Sequence, residues 1–303
     1  MLLWGLAFLL IFLSLAGLLG NLWWPFKIAD FFRLQYAVLS FFLALVSLYY
    51  GQYEIAVIAV GLIILNLFKI RHYLFKTRKT FDADGAKILS VNAFRDNFEP
   101  DNLEKYILDE RPDLLLIMEM TDKLNDHLTE ALKDYEFRLE TPVRDGFRIA
   151  LFSKAEMKHS RITHHGPSDT PLLYSQINLK GKEYDVYSAH PKPALNHKYA
   201  EEREIYFRDI EKIFKQNDYP CLLLGDFNSV PWEKHFVKFL RKTKLQSTLY
   251  RNGYTLTWPV FMPLMGIPMD HIIVCDRVNF SKFHRGPFVG SDHFPLVLTL
   301  SNT

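Results

Sequence analysis

The sequence of 303 residues predicts a layered α/β domain that follows a membrane anchor of three transmembrane helices. Three observations support this prediction. The first 70 residues contain few charged side chains. In the remainder, apolar runs of strand length alternate with stretches that have a helical pattern, which is typical of a layered α/β domain. Several of the apolar runs end directly in acidic or polar residues, where an α/β enzyme presents its catalytic groups.

Three uncharged segments define the predicted anchor, which we assign to residues 1–70. Met1–Phe26 and Leu34–Tyr53 contain no charged residue, and only Glu54 precedes the uncharged run Ile55–Phe68. Since a helix needs about 20 mostly apolar residues to cross a bilayer, each segment predicts one transmembrane helix. A cleaved signal peptide is disfavoured, because the chain starts without a basic residue and more apolar segments follow the first.

A basic segment, residues 71–84, follows the anchor and is predicted to be a juxtamembrane linker. The basic residues here, with the one that precedes them, are Lys69, Arg71, His72, Lys76, Arg78 and Lys79. Such a cluster binds anionic lipid headgroups. With three spans, the first loop, which contains Lys27 and Arg33, lies on the same side of the membrane as the following domain. The positive-inside rule then favours the cytoplasmic side, but this bias leaves the side open.

The charge of the remaining domain bears on its substrate. The chain contains 36 Lys and Arg and 34 Asp and Glu residues; two of each sign precede Lys69, which leaves 34 basic and 32 acidic residues from Lys69 onward. A domain that grips nucleic-acid phosphates usually carries a marked basic excess. The near-neutral balance therefore disfavours a nucleic-acid substrate without excluding it.

Predicted strands alternate with predicted helices over residues 85–303, which we assign to a catalytic domain. The predicted strands are Ala86–Ala93, Asp113–Met118, Arg148–Ser153, Leu172–Leu179, Glu183–Ala189, Cys221–Leu224, His271–Cys275 and Leu296–Leu300. The predicted helices are Glu99–Glu110, Thr121–Tyr135 and His197–Gln216. Cys221 and Cys275 lie in apolar runs and are interpreted as small buried residues. A disulfide between them requires that their strands be neighbours.

Polar side chains close or open many of the predicted strands. They are Asn92, Glu119, His190, Asp226, Asn228, Asp270, Asp292 and His293. Each residue alone has an ordinary structural explanation, because a carboxylate after a strand often caps the next helix and a lone histidine is usually structural. Capping does not require carboxylate, amide and imidazole groups at the ends of so many separate strands. We therefore expect these side chains to converge on one site.

The chemistry of these residues fits the hydrolysis of a phosphate ester. This reaction needs a hard divalent cation on oxygen ligands, a group that activates or orients water, and donors for the charge that develops on the phosphoryl oxygens. Glu119 is the natural ligand for Mg²⁺. Asp270 or Asp292 would orient a histidine or complete the metal shell.

The remaining polar residues fit roles around the phosphorus atom. Asp226 suits a base that activates or orients water, and Asn228 can hold both Asp226 and a phosphate oxygen. His190 and His293 would donate hydrogen bonds to the phosphoryl group.

These residues resemble, motif by motif and in the same order, the endonuclease/exonuclease/phosphatase superfamily. The matching positions are Asn92, Glu119, His190, the run Gly225–Ser229 (Gly-Asp-Phe-Asn-Ser), Asp270 and the run Gly290–His293 (Gly-Ser-Asp-His). The two runs are specific, whereas the single Asn and Glu are weak signals without them. The resemblance covers nearly the whole catalytic domain and implies an α/β fold, a four-layer α/β sandwich with two mixed sheets flanked by helices.

The resemblance also implies a role for each position. The implied cofactor is Mg²⁺, with Mn²⁺ as the alternative. The implied metal ligands are Glu119, Asn92 and Asp292. The implied catalytic residues are Asp226, Asn228, His190, His293 and Asp270. Within this set, Asp226 and Asn228 look like the pair that positions water, and the two histidines look like phosphate stabilisers.

Two departures from the superfamily pattern weigh against a DNA-repair endonuclease. Apurinic-site endonucleases carry a carboxylate two residues after the first Asn, where this chain has Phe94, and a tyrosine where it has His190. The chain looks closer to bacterial membrane-tethered members, which have N-terminal spans and a segment like Thr257-Trp258-Pro259. This similarity implies a multi-pass protein of the bacterial inner membrane. Some such relatives act outside the membrane, so the side of the catalytic domain stays open.

Two further features bear on the substrate. Arg148 and Trp258 are predicted to contact it, although a surface arginine is ordinarily a solvated one. The loop Trp258–Pro268, which precedes Asp270, is unusually apolar. It either packs beneath the site or forms an exposed rim that enters the bilayer and admits a lipid-linked phosphate.

The sequence therefore predicts a membrane-anchored, Mg²⁺-dependent phosphoesterase, with the lipid bilayer as partner and a lipid-linked or membrane-proximal phosphate ester as substrate. A tethered enzyme gains effective concentration only over membrane-bound substrates. The alternatives are a membrane-tethered nuclease and a non-catalytic scaffold, and the complete set of polar residues disfavours the scaffold. No protein partner is inferred, and the choice between phosphomonoester and phosphodiester stays open.

Overall fold

The computed structural model describes residues 1–20, 22–76, 85–216, 219–250 and 252–301. Most of the predicted linker, including Arg78 and Lys79, lies outside the described residues. Its first residues, Arg71–Tyr73, form a 3₁₀ turn at the end of the anchor.

The N-terminal region is helical. It consists of α1 (Leu2–Ala16), α2 (Trp24–Ala29), α3 (Arg33–Tyr49) and α4 (Tyr53–Ile70). With short 3₁₀ turns, these helices make three segments that are long and apolar enough to cross a membrane, Leu2–Leu19, Trp24–Tyr49 and Tyr53–Tyr73. Many of their outward-facing side chains are large and apolar, as lipid tails require. The prediction of three helices of spanning length is confirmed.

A buried polar cluster joins the three segments at one end of the anchor. The fully buried Arg33 donates through Nε to Asp30 Oδ1 at 2.7 Å, and through Nη1 to the Ser14 carbonyl at 2.7 Å and to Asn66 Oδ1 at 3.0 Å. Asn66 Nδ2 donates to Ser14 Oγ at 2.9 Å. A Cβ at Gly17 would lie 2.5 Å from Arg33 Nη2, so glycine leaves room for the cluster. Arg33 is therefore buried and paired, and it does not count as a loop charge for the positive-inside rule.

The α/β domain is built from twelve strands and five helices within the described residues. The strands are β1 (Lys87–Asn92), β2 (Leu114–Met120), β3 (Phe137–Glu140), β4 (Arg148–Ser153), β5 (Met157–His165), β6 (Thr170–Leu179), β7 (Lys182–Ala189), β8 (Cys221–Asp226), β9 (Leu245–Ser247), β10 (Asp270–Cys275), β11 (Phe280–Arg285) and β12 (Leu296–Leu300). The helices are α5 (Pro100–Glu110), α6 (Asp122–His127), α7 (Thr129–Leu132), α8 (His197–Glu211) and α9 (Lys234–Thr243).

The strands form two six-stranded mixed sheets. The order of the first is β11-β12-β1-β2-β4-β3, and the order of the second is β5-β6-β7-β8-β10-β9. β1 and β2 are parallel in the first sheet, and β7 and β8 are parallel in the second. The other neighbouring pairs are antiparallel. In each sheet, the carboxyl ends of one pair of parallel strands therefore lie at the same edge.

The two sheets share the largest apolar core, to which Leu116 contributes from the first sheet and Ile272 from the second. Helices α5–α7 cover the other face of the first sheet through a second core that includes Leu103 and Leu115. Helices α8 and α9 pack on the second sheet, where the ring of Phe236 lies 4.8 Å from that of His271. The domain is thus a four-layer α/β sandwich with two mixed sheets flanked by helices, as predicted.

The sequence pattern missed β3, β5, β9 and β11, and all four are edge strands of their sheets. Edge strands bury fewer side chains, so they lack the apolar runs from which the other strands were predicted. In β5, for example, no side chain is fully buried. The predicted helix Thr121–Tyr135 is interrupted at Leu128, and the predicted helix His197–Gln216 ends at Glu211 before a 3₁₀ turn.

Cys221 and Cys275 lie on the neighbouring strands β8 and β10, and both are buried free thiols. The Cys221 N–H donates to Cys275 Sγ at 3.2 Å. Their interpretation as small buried residues is confirmed.

Candidate active site

The polar residues predicted at strand ends meet at one edge of the sandwich. β1 and β2 bring Asn92 and Glu119 from the first sheet, while β7 and β8 lead to His190 and Asp226 in the second. β10 runs antiparallel to β8, which places Asp270 in register with Asp226. The parallel pairs and this register bring together residues that are far apart in sequence.

Asn92 bridges the two sheets. Its Nδ2 donates to Glu119 Oε1 at 3.1 Å and to Asp226 Oδ2 at 3.2 Å, and its Oδ1 accepts from the Phe94 N–H at 3.0 Å. Glu119 has a φ of 54° and lies where the pairing of β2 with β4 shifts register. A bulge of this kind re-aims a side chain, and such bulges are common beside active sites. One amide thus holds two carboxylates from different sheets.

The loop after β8 holds Asp226 through its own backbone. Asn228 has a φ of 50°, a left-handed conformation that asparagine tolerates better than most residues. Its N–H donates to Asp226 Oδ1 at 2.8 Å, and its Nδ2 donates to the Pro191 carbonyl at 3.0 Å. One oxygen of Asp226 is therefore bound within the loop, and the other is left to the residues around it.

Two histidines flank Asp226. His190 Nε2 lies 3.5 Å from Asp226 Oδ2 and 3.8 Å from Glu119 Oε1, and His293 Nε2 lies 3.8 Å from Asp226 Oδ2. On its other side, His293 Nδ1 is hydrogen bonded to Asp270 Oδ2 at 2.8 Å. Because this carboxylate holds the ring at Nδ1, the Nε2–H faces the site and can donate there.

The run before β12 is tied to the same edge. Ser291 Oγ donates to the Asn92 carbonyl at 2.7 Å and accepts from the His293 N–H at 3.0 Å. Asp292 Oδ2 accepts from Trp258 Nε1 at 3.0 Å. Its other oxygen, Oδ1, is buried and has no hydrogen-bond partner among the described residues.

Neighbouring charges shift two pKa values in opposite directions. Burial alone would raise the pKa of Asp226, but the hydrogen bond with His190 and the charge of His293 offset burial and lower the pKa to about 2. Burial alone would lower the pKa of His293, but the carboxylates around it, Asp270 foremost, raise the pKa to about 10. At neutral pH the site holds an ionised aspartate beside a protonated histidine, which is a donor for an anion.

The residues around Glu119 fit a divalent cation. Among the described residues, each Glu119 oxygen accepts one hydrogen bond, at 3.1 Å from Asn92 and 3.3 Å from the Arg95 N–H, and Asp292 Oδ1 is buried without a hydrogen-bond partner. Carboxylate oxygens with free lone pairs are the ligands that Mg²⁺ prefers. Asn92 turns its nitrogen toward the carboxylates, so it positions Glu119; its role as a metal ligand stays a prediction.

A second arrangement of ligand atoms fits a cation less well. Asp226, Asp270 and His293 place potential ligand atoms within 4.8 Å of one another. Within this group, however, His293 Nδ1 is already bound to Asp270. A histidine paired in this way is typical of proton chemistry, so we assign the cation to the Glu119 side.

The two residues predicted to contact substrate, Arg148 and Trp258, both line the cavity above the site. Arg148 is engaged by carboxylates: it pairs with Asp122 and lies 3.3 Å from Glu140 Oε2. Trp258 lies with its ring 6.4 Å from that of His293. Substrate contact by either residue stays a prediction.

Sequence reasoning missed Arg203 and Glu233, which brace the loop that carries Asp226. Arg203 is buried in α8, donates to the Asn228 carbonyl, and pairs with both oxygens of Glu233 at 2.9 and 3.1 Å. Glu233 also accepts from Ser229 Oγ. Both residues occur among other charged residues in the sequence, where nothing local distinguishes a buried pair from a solvated one.

The fold is thus a two-sheet α/β sandwich in which carboxylate, amide and histidine groups converge at one edge. The sequence profile of the Endonuclease/Exonuclease/phosphatase family matches residues 89–293, more than half of the chain. The chain belongs to this family, whose members hydrolyse phosphate esters or nucleic acids.

Solved structures share this fold at low sequence identity. A D. rerio TDP2 humanized by 14 mutations is 16% identical, with a TM-score of 0.60 over 72% of this chain and 99% of that chain. The human Nocturnin catalytic domain with bound sulfate is 16% identical, with a TM-score of 0.57 over 72% and 93%. A mannosyl-6-phosphatase of Bacteroides thetaiotaomicron is 15% identical, with a TM-score of 0.58 over 71% and 99%. At these identities the likeness shows the fold alone. No protein of curated function matches the sequence.

Proposed function

We propose that this protein is a membrane-anchored phosphoesterase that depends on Mg²⁺ or Mn²⁺ and hydrolyses a lipid-linked or membrane-proximal phosphate ester. One observation carries the proposal: the Asn92 amide holds Glu119 and Asp226 together beside the hydrogen-bonded pair of His293 and Asp270. Buried carboxylates are costly unless they are paired or coordinate a cation. Their concentration at one edge is therefore better explained by catalysis than by stability.

Glu119, together with Asp292 and Asn92, would hold the cation, and the bound cation would supply positive charge for the phosphate oxygens. Glu119 and Asp292 belong to different segments of the chain, and both line the same cavity.

The other residues act on water and on the phosphoryl group. Asp226, held by the Asn228 N–H, accepts a hydrogen bond from the attacking water and so aligns it with phosphorus. His293 donates from Nε2 to a phosphoryl oxygen, and Asp270 stabilises its positive charge. His190 donates from the other side of Asp226, so the developing negative charge meets two donors.

The membrane part of the proposal rests on the spanning helices and on the loop Trp258–Pro268. At the tip of this loop, Phe261 and Met262 are each 58% exposed and Leu264 is 89% exposed. At its base, Ile267 is buried. The base of the loop is therefore packed against the domain, and its tip is an exposed apolar rim. We propose that this rim enters the headgroup layer.

The test is phosphate release by the purified full-length protein in detergent, from a panel of lipid phosphates and nucleic acids, with Mg²⁺, with Mn²⁺ and with a chelator. Asp226→Ala and His293→Ala are compared with wild type. Asp276→Ala and His197→Ala serve as matched controls, because both side chains are exposed and lie outside the cavity.

The proposal predicts turnover of lipid phosphates that requires the cation, disappears in both site variants and persists in both controls. Cleavage of nucleic acid alone would establish the nuclease. If wild type shows no turnover that is lost in Asp226→Ala and His293→Ala, the enzymatic proposal is wrong. The non-catalytic scaffold is then the remaining alternative.

A further inference from the structure

The first part of the second candidate span, residues 24–32, packs against the catalytic domain, and we name it the connector. Trp232 Nε1 donates to the carbonyl of Asp30 at 2.8 Å. Phe31 is buried in one apolar cluster with Trp232 and Met269. The anchor is therefore joined to the domain by specific contacts as well as by the chain.

These contacts fall on segments that carry catalytic residues. Trp232 follows Asp226 in the same loop, and Met269 directly precedes Asp270. An apolar cluster at this point fixes the connector relative to the catalytic groups, because closely packed side chains transmit small displacements.

One cavity of about 1110 Å³ joins the connector to the catalytic groups. Glu119, Asp226 and His293 line it at one end, and Ile28 and Phe32 line it at the connector. The connector is the first part of the candidate span Trp24–Tyr49, so we place this end of the cavity near the lipid headgroups. The cavity is far larger than a phosphate group needs.

The lining combines charged residues beside the catalytic groups with apolar residues at the connector. Near the catalytic groups, Arg95 Nε lies 4.0 Å from Glu119 Oε2, and Lys192 also lines the wall. Toward the connector the lining includes Ile267, and Leu195 on the wall is 66% exposed. An anionic headgroup with an attached hydrocarbon chain matches this distribution of charge.

We propose that Ile28, Phe31 and Phe32 of the connector form a subsite for the hydrocarbon chain of a lipid phosphate ester whose phosphate occupies the catalytic end. The anchor then determines substrate specificity in addition to attaching the enzyme. This inference rests on the proposed phosphoesterase function and names the part of the chain that selects the substrate.

The experiment measures kcat/KM of the full-length protein in one detergent for butyl phosphate and dodecyl phosphate, and for their methyl diesters. The variants are Ile28→Ser and Phe32→Ser, because both side chains are only half-buried. Ile64→Ser and Phe42→Ser are matched controls, since these residues are 64% and 58% exposed on spanning helices and lie outside the cavity. Any general effect of chain length on partition into micelles is shared by all variants.

We expect wild type and both controls to prefer the dodecyl ester. In Ile28→Ser and Phe32→Ser the dodecyl-to-butyl ratio of kcat/KM falls about tenfold, because each lost methylene contact weakens chain binding, while butyl turnover is kept. An unchanged ratio, or an equal loss with both esters, overturns the subsite. No turnover of either ester by wild type instead overturns the proposed function itself.

Ile28→Trp keeps the inference testable if the serine variants do not fold. Tryptophan preserves apolar contact and fills the connector end of the cavity, so it should lower dodecyl turnover about tenfold at an unchanged melting temperature and unchanged butyl turnover. Equal turnover of dodecyl phosphate by Ile28→Trp and wild type would show that the chain does not enter this space.

Discussion

Substitution of Gly225 by alanine should separate the two strands that carry His190 and Asp226. Gly225 has a φ of 152°, and a Cβ there would lie 1.9 Å from the carbonyl oxygen of Ala189 at the end of β7. Real Cβ atoms essentially never approach other heavy atoms closer than 3.0 Å. β7 and β8 must therefore move apart by about 1 Å, at the point where both strands enter the site.

The cost has two parts. A backbone conformation that suits glycine costs an alanine about 1–3 kcal/mol, and overpacking against a buried backbone costs about 1–3 kcal/mol more. A total near 4 kcal/mol lowers the melting temperature of a domain of this size by about 10 °C. Because a displacement of about 1 Å can cost about 100-fold in rate, kcat should fall by that order.

The assay is thermal unfolding of the full-length protein in detergent, together with phosphate release. Gly181→Ala is the matched control: Gly181 also has a positive φ, of 91°, but a Cβ there meets nothing within 4 Å. This control should cost about 1 kcal/mol and leave kcat unchanged. If the two variants lose the same stability and the same activity, the contact with Ala189 does not matter and the reasoning is wrong.

Three further changes test other parts of the molecule. Asp270→Asn removes the carboxylate bound to His293 Nδ1 at 2.8 Å, so kcat should fall about 100-fold or more in the phosphate-release assay, and an unchanged kcat would contradict the role of this pair. Burial lowers the pKa of His271 from 6.5 to about 4, so below pH 6.5 the unfolded chain binds a proton that the folded chain does not. This costs about 2 kcal/mol of stability at pH 5 relative to pH 7, and the melting temperature of His271→Gln should depend on pH correspondingly less than that of wild type. Asn66→Leu removes a buried hydrogen-bond partner of Arg33 and should destabilise the anchor by about 1–3 kcal/mol, seen as a lower melting temperature in detergent; an unchanged value would show that the cluster tolerates the loss.

Local patterns were sufficient for the three helices of spanning length and for the residues that meet at the candidate site. Crossing a bilayer depends on the length and apolar content of one segment, and both can be read without knowing what the segment contacts. The central strands were predicted for the same reason, since strands buried on both faces are apolar throughout. The runs Gly225–Ser229 and Gly290–His293 indicated the candidate site because polar groups directly beside buried strands are costly without a partner.

Tertiary structure decided which of these residues touch and what surrounds them. The four edge strands escaped prediction because they bury little, and the pairing of Arg203 with Glu233 spans 30 positions that no local pattern connects. Arg33 reads as a loop charge in the sequence but is buried within the anchor. The sequence assigned Lys27 to the first loop between spans, yet Ile28, Phe31 and Phe32 beside it line the catalytic cavity. In each case the contacts join segments that are distant in the chain. Their energies depend on the packing of the whole fold, so no sequence pattern within a single segment predicts them.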